Sequence, residues 1–505
     1  MLTLRDVRLP GRSGRHEVVI ASGLIESVRP LAAGETGSDQ PVGDLTTGLR
    51  DHPGAGLTAQ SGPVLNGDGR WLLPGFWDEH VHFRLWSELS RRLDVSQAAS
   101  AAEVVDLVRA GLPAGASQLI AAGFRDGLWP DAPRRELLDA VTEAEVYVVS
   151  ADLHSIWLNS PALARFGWAD HPTGLLREQD CFRVTWALSD VSTEVSDDWV
   201  GQAAQKAAAR GVVGLVDLDL TWSVDDWRRR AERGFDQVRV SCGVFMDFLD
   251  QAVAEGLKGG APIDQSGLIR VGPLKIVTDG SLNTRTAWCF DPYPGLSGDQ
   301  AWGRPSLSAP ELVDLMERGW RQGLRPAVHA IGDQANAVAL DAFEQVGCPG
   351  RIEHAQLLRW QDIPRLAELG LIASVQPEHA MDDRDVADRH WAGRTDRAFA
   401  NRSLLDGGVR LALGSDAPVA PLDPWITVAA AVHRGRAGRE PWHQEQAIPR
   451  AAALAASARG RAVVAPGQPA DLQLIELDPL AAPPDHLRTM PVAATWLAGR
   501  PTHGA

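Results

Sequence analysis

The chain has 505 residues, 44% hydrophobic and 23% charged, a globular composition long enough for one large domain with additions or for two or three smaller ones. A formal net charge of −16 without any Lys/Arg run argues against nucleic acid and an anionic membrane as partners. No apolar run approaches the roughly 18 residues that span a bilayer, and no basic segment leads into an apolar one after Met1, so the cytoplasm is the expected compartment.

Cys181, Cys242, Cys289 and Cys348 are scattered, with no C-x-x-C pair, and are expected as buried free thiols. Lysine occurs only at Lys206, Lys258 and Lys275; arginine supplies the rest of the 49 basic residues. A lysine inside an apolar strand of such a chain needs its own explanation.

The first residues alternate in the β manner from Leu2 to Leu9, again from Glu17 to Ile20, and Ile25 to Val28 follows as a short strand. From about Ala32 to Pro63 the chain is rich in Gly, Asp, Thr and Pro and is expected as a loop. The far end resembles the beginning: Asp471 to Leu477 and Val492 to Leu497 are strand-like and bracketed by Pro and Gly. Residues 1–73 and 462–505 are therefore expected to form one small β-domain from both chain ends.

Between these ends, short apolar runs alternate with helical patterns, the signature of repeated β-α units and a parallel sheet. Strands are expected at 75–78, 212–217, 238–242, 271–276, 325–329, 351–354, 372–376 and 410–415. Eight such strands specify a (β/α)8 barrel of the α/β class, spanning 74–461. More than a hundred residues separate the first two strands, too many for one crossover helix. The stretch from about Leu85 to Thr193 is expected as an inserted substrate-binding subdomain.

The ends of these strands hold the informative residues. After the first comes Asp78-Glu79-His80-Val81-His82, in which alternation points His80 and His82 to one side, where two imidazoles can share a cation. Alone, such a pair is more often two ordinary polar histidines. Lys275, His329, His354 and Asp416 also stand at strand ends, and each alone has a bland reading as a satisfied histidine, a salt-bridged lysine or a helix N-cap. Together, six metal-competent side chains at the C-terminal ends of barrel strands converge on one axial pocket.

Imidazoles and carboxylates suit zinc or another divalent metal, and the lack of thiolates argues against a closed structural site. A buried lysine beside cations loses its proton, and its neutral amine reacts with carbon dioxide to give a carbamate, which arginine cannot form. The alternative for Lys275 is an ion pair with Asp279 or another carboxylate.

These residues resemble a known family. The run Leu72 to His82 is similar to the first-strand signature of the amidohydrolase superfamily, and Lys275 to Ala287 resembles the lysine segment of its branch containing N-substituted formamide deformylase and YtcJ-like proteins. His329-Ala330-Ile331-Gly332-Asp333, Ile352-Glu353-His354-Ala355, Ser374-Val375-Gln376-Pro377 and Gly414 to Val419 match that branch in the same order, and Pro466 to Leu472 resembles the return into its β-sandwich, here the domain of both chain ends, so the likeness spans nearly the whole chain. The resemblance implies that His80 and His82 bind one metal with Asp416, that His329 and His354 bind a second, and that Lys275, carboxylated, bridges them; whether one or two ions are held stays open. It also implies that Asp416 moves the proton during hydrolysis.

Within the insertion, the run Asp152 to Leu163 resembles a branch segment that usually reads Asp-Gly-His, which implies that His154 faces the substrate; here Leu153 replaces the glycine. Trp157, Arg285, Trp288, Gln376 and His379 are further candidates for the substrate pocket, with surface or packing roles as their alternatives. The expected activity is hydrolysis of a non-peptide C–N bond in a small molecule such as an N-formyl or N-acyl amine. The same centre acting on a cyclic amide, imine or ester is one alternative, and a non-catalytic regulatory or binding relative is another. A homodimer is the oligomeric state considered.

Overall fold

The computed structural model describes residues 1–32, 62–188 and 191–504. The loop expected from about Ala32 to Pro63 lies, apart from its ends, outside the described residues.

Eight parallel strands run in sequence order through one sheet: Phe76–Val81, Val212–Asp217, Arg239–Phe245, Ile269–Val277, Pro326–Ala330, Arg351–His354, Ile372–Val375 and Arg410–Leu413. These are the eight expected strands, with boundaries shifted by a few residues. Alternation fixes what each strand gives to either side. Leu274 and Ile276 pack outward into the main hydrophobic core, as do Val328 and Ala330, while Lys275, Val277 and His329 reach the axial cavity.

The last strand meets the first and closes the ring. The Asp416 N–H donates to the His80 carbonyl at 2.7 Å, and the His82 N–H to that of Ala417 at 2.9 Å. Gly414 allows this approach: a Cβ there would lie 2.6 Å from the His80 nitrogen. Asp78 ties the seam further, accepting from the Ser415 N–H at 2.9 Å, the His80 N–H at 3.1 Å and the Ser415 hydroxyl.

Both chain ends build two four-stranded sheets. One orders Leu24–Pro30, His16–Ala21, Leu2–Val7 and Val64–Asn66; the other orders Arg500–His503, Val492–Leu497, Leu472–Ile475 and Trp71–Pro74. Leu4, Val18 and Ile20 from the first share a buried cluster with Leu472, Leu474 and Trp496 from the second, which is how alternating strands from opposite ends of the chain bury their apolar faces.

Between the first and second barrel strands lies a five-stranded sheet ordered Leu175–Arg177, Ser155–Leu158, Glu145–Ser150, Gln118–Phe124 and Leu93–Asp94. Its loops and the helix Gln179–Leu188 lean over the barrel mouth and supply Leu153, His154, Glu178, Phe182 and Trp186 to the cavity wall. All four cysteines are buried and unpaired. No helix among the described residues is long and apolar enough to cross a membrane.

Candidate metal centre

At the C-terminal mouth of the barrel is a cavity of about 430 Å³, and His82, Lys275, His329, His354, His379 and Asp416 stand at its floor. His80 lies just beneath, fully buried. Asp416 is the hub. Its Oδ1 is 3.2 Å from His82 Nε2 and 3.4 Å from His80 Nε2, while its Oδ2 is 3.8 Å from His379 Nε2 and 3.9 Å from His354 Nδ1. The His329 ring centroid is 4.6 Å from that of His354.

Two of these residues owe their position to unusual backbone. His354 has φ +71° and Asp416 φ +59°, both in the left-handed region that costs a non-glycine residue about 1–2 kcal/mol. The reason is geometric. Arg351 and Glu353 point into the barrel, where Glu353 meets His80, so strict alternation would turn His354 outward; the left-handed step past the strand end turns it to the mouth instead.

Glu353 fixes His80. Its Oε2 is 2.6 Å from His80 Nδ1, so the ring donates from Nδ1 and leaves Nε2 as a lone pair, which the Lys275 ammonium approaches at 3.3 Å. Arg351 clamps Glu353 in turn, reaching Glu79 at 2.9 Å and the Ser374 hydroxyl at 2.6 Å with the same guanidinium. Burial alone would raise the Glu353 pKa, but the Arg351 charge, the His80 hydrogen bond and Lys275 together hold it well below the carboxylate range.

The electrostatics favour lone pairs. Burial, reinforced by Lys275, lowers the His80 pKa to about 4, and burial with the His329 charge lowers that of His354. Burial also lowers Lys275 to about 8, despite Glu353 and Asp416 nearby. For Asp416 burial works the other way, but the surrounding imidazoles hold it ionised well below the usual range. Free lone pairs on His80 and His354 beside an ionised carboxylate are the protonation states metal ligands require.

These residues fit a divalent cation. Asp416 Oδ1, His354 Nδ1 and His379 Nε2 are buried without a hydrogen-bond partner among the described residues, an arrangement that costs about 1–3 kcal/mol per group unless something else satisfies them. His80, His82 and Asp416 bring their ligand atoms within 4.8 Å of one another, and so do His354, His379 and Asp416. All donors are nitrogen or oxygen, the set that suits zinc and similar ions.

His154 faces the cavity from the insertion. Burial disfavours its charged form, but the Glu178 carboxylate 2.8 Å from Nδ1, with Asp152 behind it, raises its pKa to about 9. Glu178 is held in place by the Thr286 hydroxyl at 2.8 Å and Thr284 at 3.2 Å. Leu153, where a glycine was expected by resemblance, adopts φ +64°, so the turn keeps the left-handed shape with a side chain that needs strain to hold it.

Other sequence expectations need correction. Trp157 does not reach the cavity: its strand turns it into the core of the inserted sheet, fully buried beside Val105 and Phe124. Gln376 is buried with Nε2 donating to the Ser374 carbonyl at 3.2 Å, off the cavity wall. Trp288 packs against the main core, and its backbone N–H donates to Asp279. Arg285 is half-buried at φ +59° and likewise lies off the wall. Lys275 faces His80 rather than Asp279, whose carboxylate is engaged by the N–H groups of Trp288, Ile331 and Gly332. Sequence reasoning missed Asp78, Glu178 and the clamping role of Glu353.

A model described as the amidohydrolase family matches residues 64–503. The putative amidohydrolase YtcJ of Bacillus subtilis is 26% identical over 483 residues, covering 86% of this chain and 89% of its own. The N-substituted formamide deformylase of Arthrobacter pascens is 25% identical over 505 residues, covering 88% of this chain and 90% of its own. An uncharacterized metal-dependent hydrolase from Pyrococcus horikoshii shares the fold, with a TM-score of 0.75 at 23% identity, over 96% of this chain and 99% of that one.

Proposed function

The chain belongs to the amidohydrolase family, and from that premise we propose that it hydrolyses a non-peptide carbon–nitrogen bond in a small N-formyl or N-acyl amine. The observation that carries this reading is Asp416: an ionised, buried carboxylate within 3.4 Å of two histidine Nε2 atoms at the floor of a cavity. A related deformylase acting on N-substituted formamides supports the substrate class.

His80, His82, His329, His354, Lys275 and Asp416 are the residues that would hold one or two divalent ions, zinc by the chemistry of the donors. Such an ion supplies Lewis acidity, which lowers the pKa of water and polarises a carbonyl oxygen. Lys275, deprotonated, adds through Nζ to carbon dioxide and releases one proton, giving a carbamate with two further oxygen donors.

The chain's own groups perform the rest. As water adds to the amide carbon, Asp416 takes a proton at a carboxylate oxygen, then delivers it to the departing nitrogen as the C–N bond breaks, yielding a carboxylic acid and an amine. His154, kept cationic by Glu178, offers a charged donor to the oxygen that gains negative charge. Leu85, Phe182, Trp186, Leu220 and Met246 form an apolar flank that suits a hydrophobic substituent and excludes water.

The test is release of free amine from N-formyl, N-acetyl and bulkier N-acyl amines by protein expressed with zinc and bicarbonate. Turnover of at least one such amide is expected. Metal-loaded protein that releases amine from none of them while hydrolysing esters, imines or cyclic amides would replace the proposed substrate class.

A further inference from the structure

His379 lines the cavity, as expected, and there has the surroundings of a ligand. It stands in the first turn of the helix Pro377–His390, directly after the seventh barrel strand, and its side chain is buried. Its Nε2 lies 3.8 Å from Asp416 Oδ2.

The spacing discriminates between explanations. His379 Nε2 and His354 Nδ1 lie 3.8 and 3.9 Å from Asp416 Oδ2, too far for a hydrogen bond and too close for bulk solvent between them. Two atoms bound to one tetrahedral zinc ion, each at roughly 2.0–2.1 Å, stand about 3.4 Å apart. Both nitrogens are buried without a hydrogen-bond partner among the described residues, so two lone-pair donors and a carboxylate oxygen frame one small gap. The two rings are nearly parallel, at 16° and 6.1 Å between centroids.

His329 is oriented differently. Its Nε2 lies 3.4 Å from the Gly280 carbonyl and 3.4 Å from Asp279 Oδ1, and it belongs to neither group of converging ligand atoms. Asp416, in contrast, divides its two oxygens: Oδ1 towards His80 and His82, Oδ2 towards His354 and His379.

We infer that His354, His379 and Asp416 form a second cation site, with His379 as a direct ligand and Asp416 shared with the His80–His82 site. This rests on the metal-binding reading above and extends it to a residue outside the expected ligand set.

The test is metal content after exhaustive dialysis, together with the visible absorption of the cobalt-substituted protein. Wild type should retain two equivalents. His379→Ala and His379→Gln should each retain one, the other binding at least about 100-fold more weakly, beyond the effect of losing an outer partner. The cobalt bands should lose the contribution of one site, and His82→Ala should remove the other. Two variants of different size guard against local collapse, and far-ultraviolet circular dichroism checks folding. If both His379 variants keep two equivalents with unchanged cobalt bands, or wild type retains a single equivalent, the second site is overturned; wild type retaining none would instead sink the metal-dependent reading itself.

Discussion

Glu353, on the sixth barrel strand and 273 positions along the chain, accepts the Nδ1 proton of His80 at 2.6 Å. The carboxylate thereby decides which nitrogen of His80 is free. Glu353→Gln removes the charge and weakens the tautomer preference, so metal affinity should fall about 10–100-fold with the side-chain volume kept. Competition against a chelator measures this, and unchanged affinity would show that Glu353 only fills space.

Asp416→Asn keeps shape and suits the left-handed backbone, since asparagine tolerates φ near +59° better than most residues. The proton acceptor is lost. Turnover should drop by at least about 10²–10⁴-fold while thermal unfolding remains cooperative. Steady-state kinetics and a melting curve together separate chemistry from folding.

His154 gives a pH dependence with a definite sign. Its pKa is raised from 6.5 to about 9, first against burial and then through Glu178. The imidazolium–carboxylate pair therefore contributes fully below pH 6.5 and is lost as pH rises through about 9. In Glu178→Gln the alkaline limb of kcat/KM should move to lower pH by at least about one unit. A limb that stays in place would assign it to another group.

Leu153 carries a left-handed backbone and also borders the cavity. Leu153→Gly relieves about 1–2 kcal/mol of strain and sacrifices side-chain packing and chain entropy of similar size, so the melting temperature should change by only a few degrees. Its clearer effect is on selectivity. Bulkier acyl or amine substituents should gain in kcat/KM relative to small ones, read from paired substrates.

Stripping the metal should lower thermal stability, because an ion bound only by the folded chain stabilises it by mass action. The buried, unpartnered atoms of Asp416, His354 and His379 are the groups left unsatisfied. Calorimetry with chelator, then with zinc restored, should show a reversible loss of several degrees.

The barrel was legible in the sequence because each strand is a local apolar run with a polar residue at its end. His80 and His82 were legible for the same reason: period-two alternation places both on one side. Glu353 was not, since alternation sets it opposite His354, and only the left-handed turn at His354 lets both neighbours serve one centre. Trp157 was misplaced because which face of the inserted sheet meets the barrel depends on packing between distant elements, and its aromatic character fits a core as well as a pocket. Glu178 follows His154 by 24 positions on the neighbouring hairpin edge, a pairing that no helical or strand period announces.

The seam between first and last strands fixes an order of events. Asp78 and Ser415 are 337 positions apart, and their hydrogen bond exists only after the whole ring has assembled. A chain made from its N-terminus exposes His80 and His82 long before Asp416 has been synthesised. An ion held by all three would thus be captured only once the final barrel strand docks, and would report completed folding.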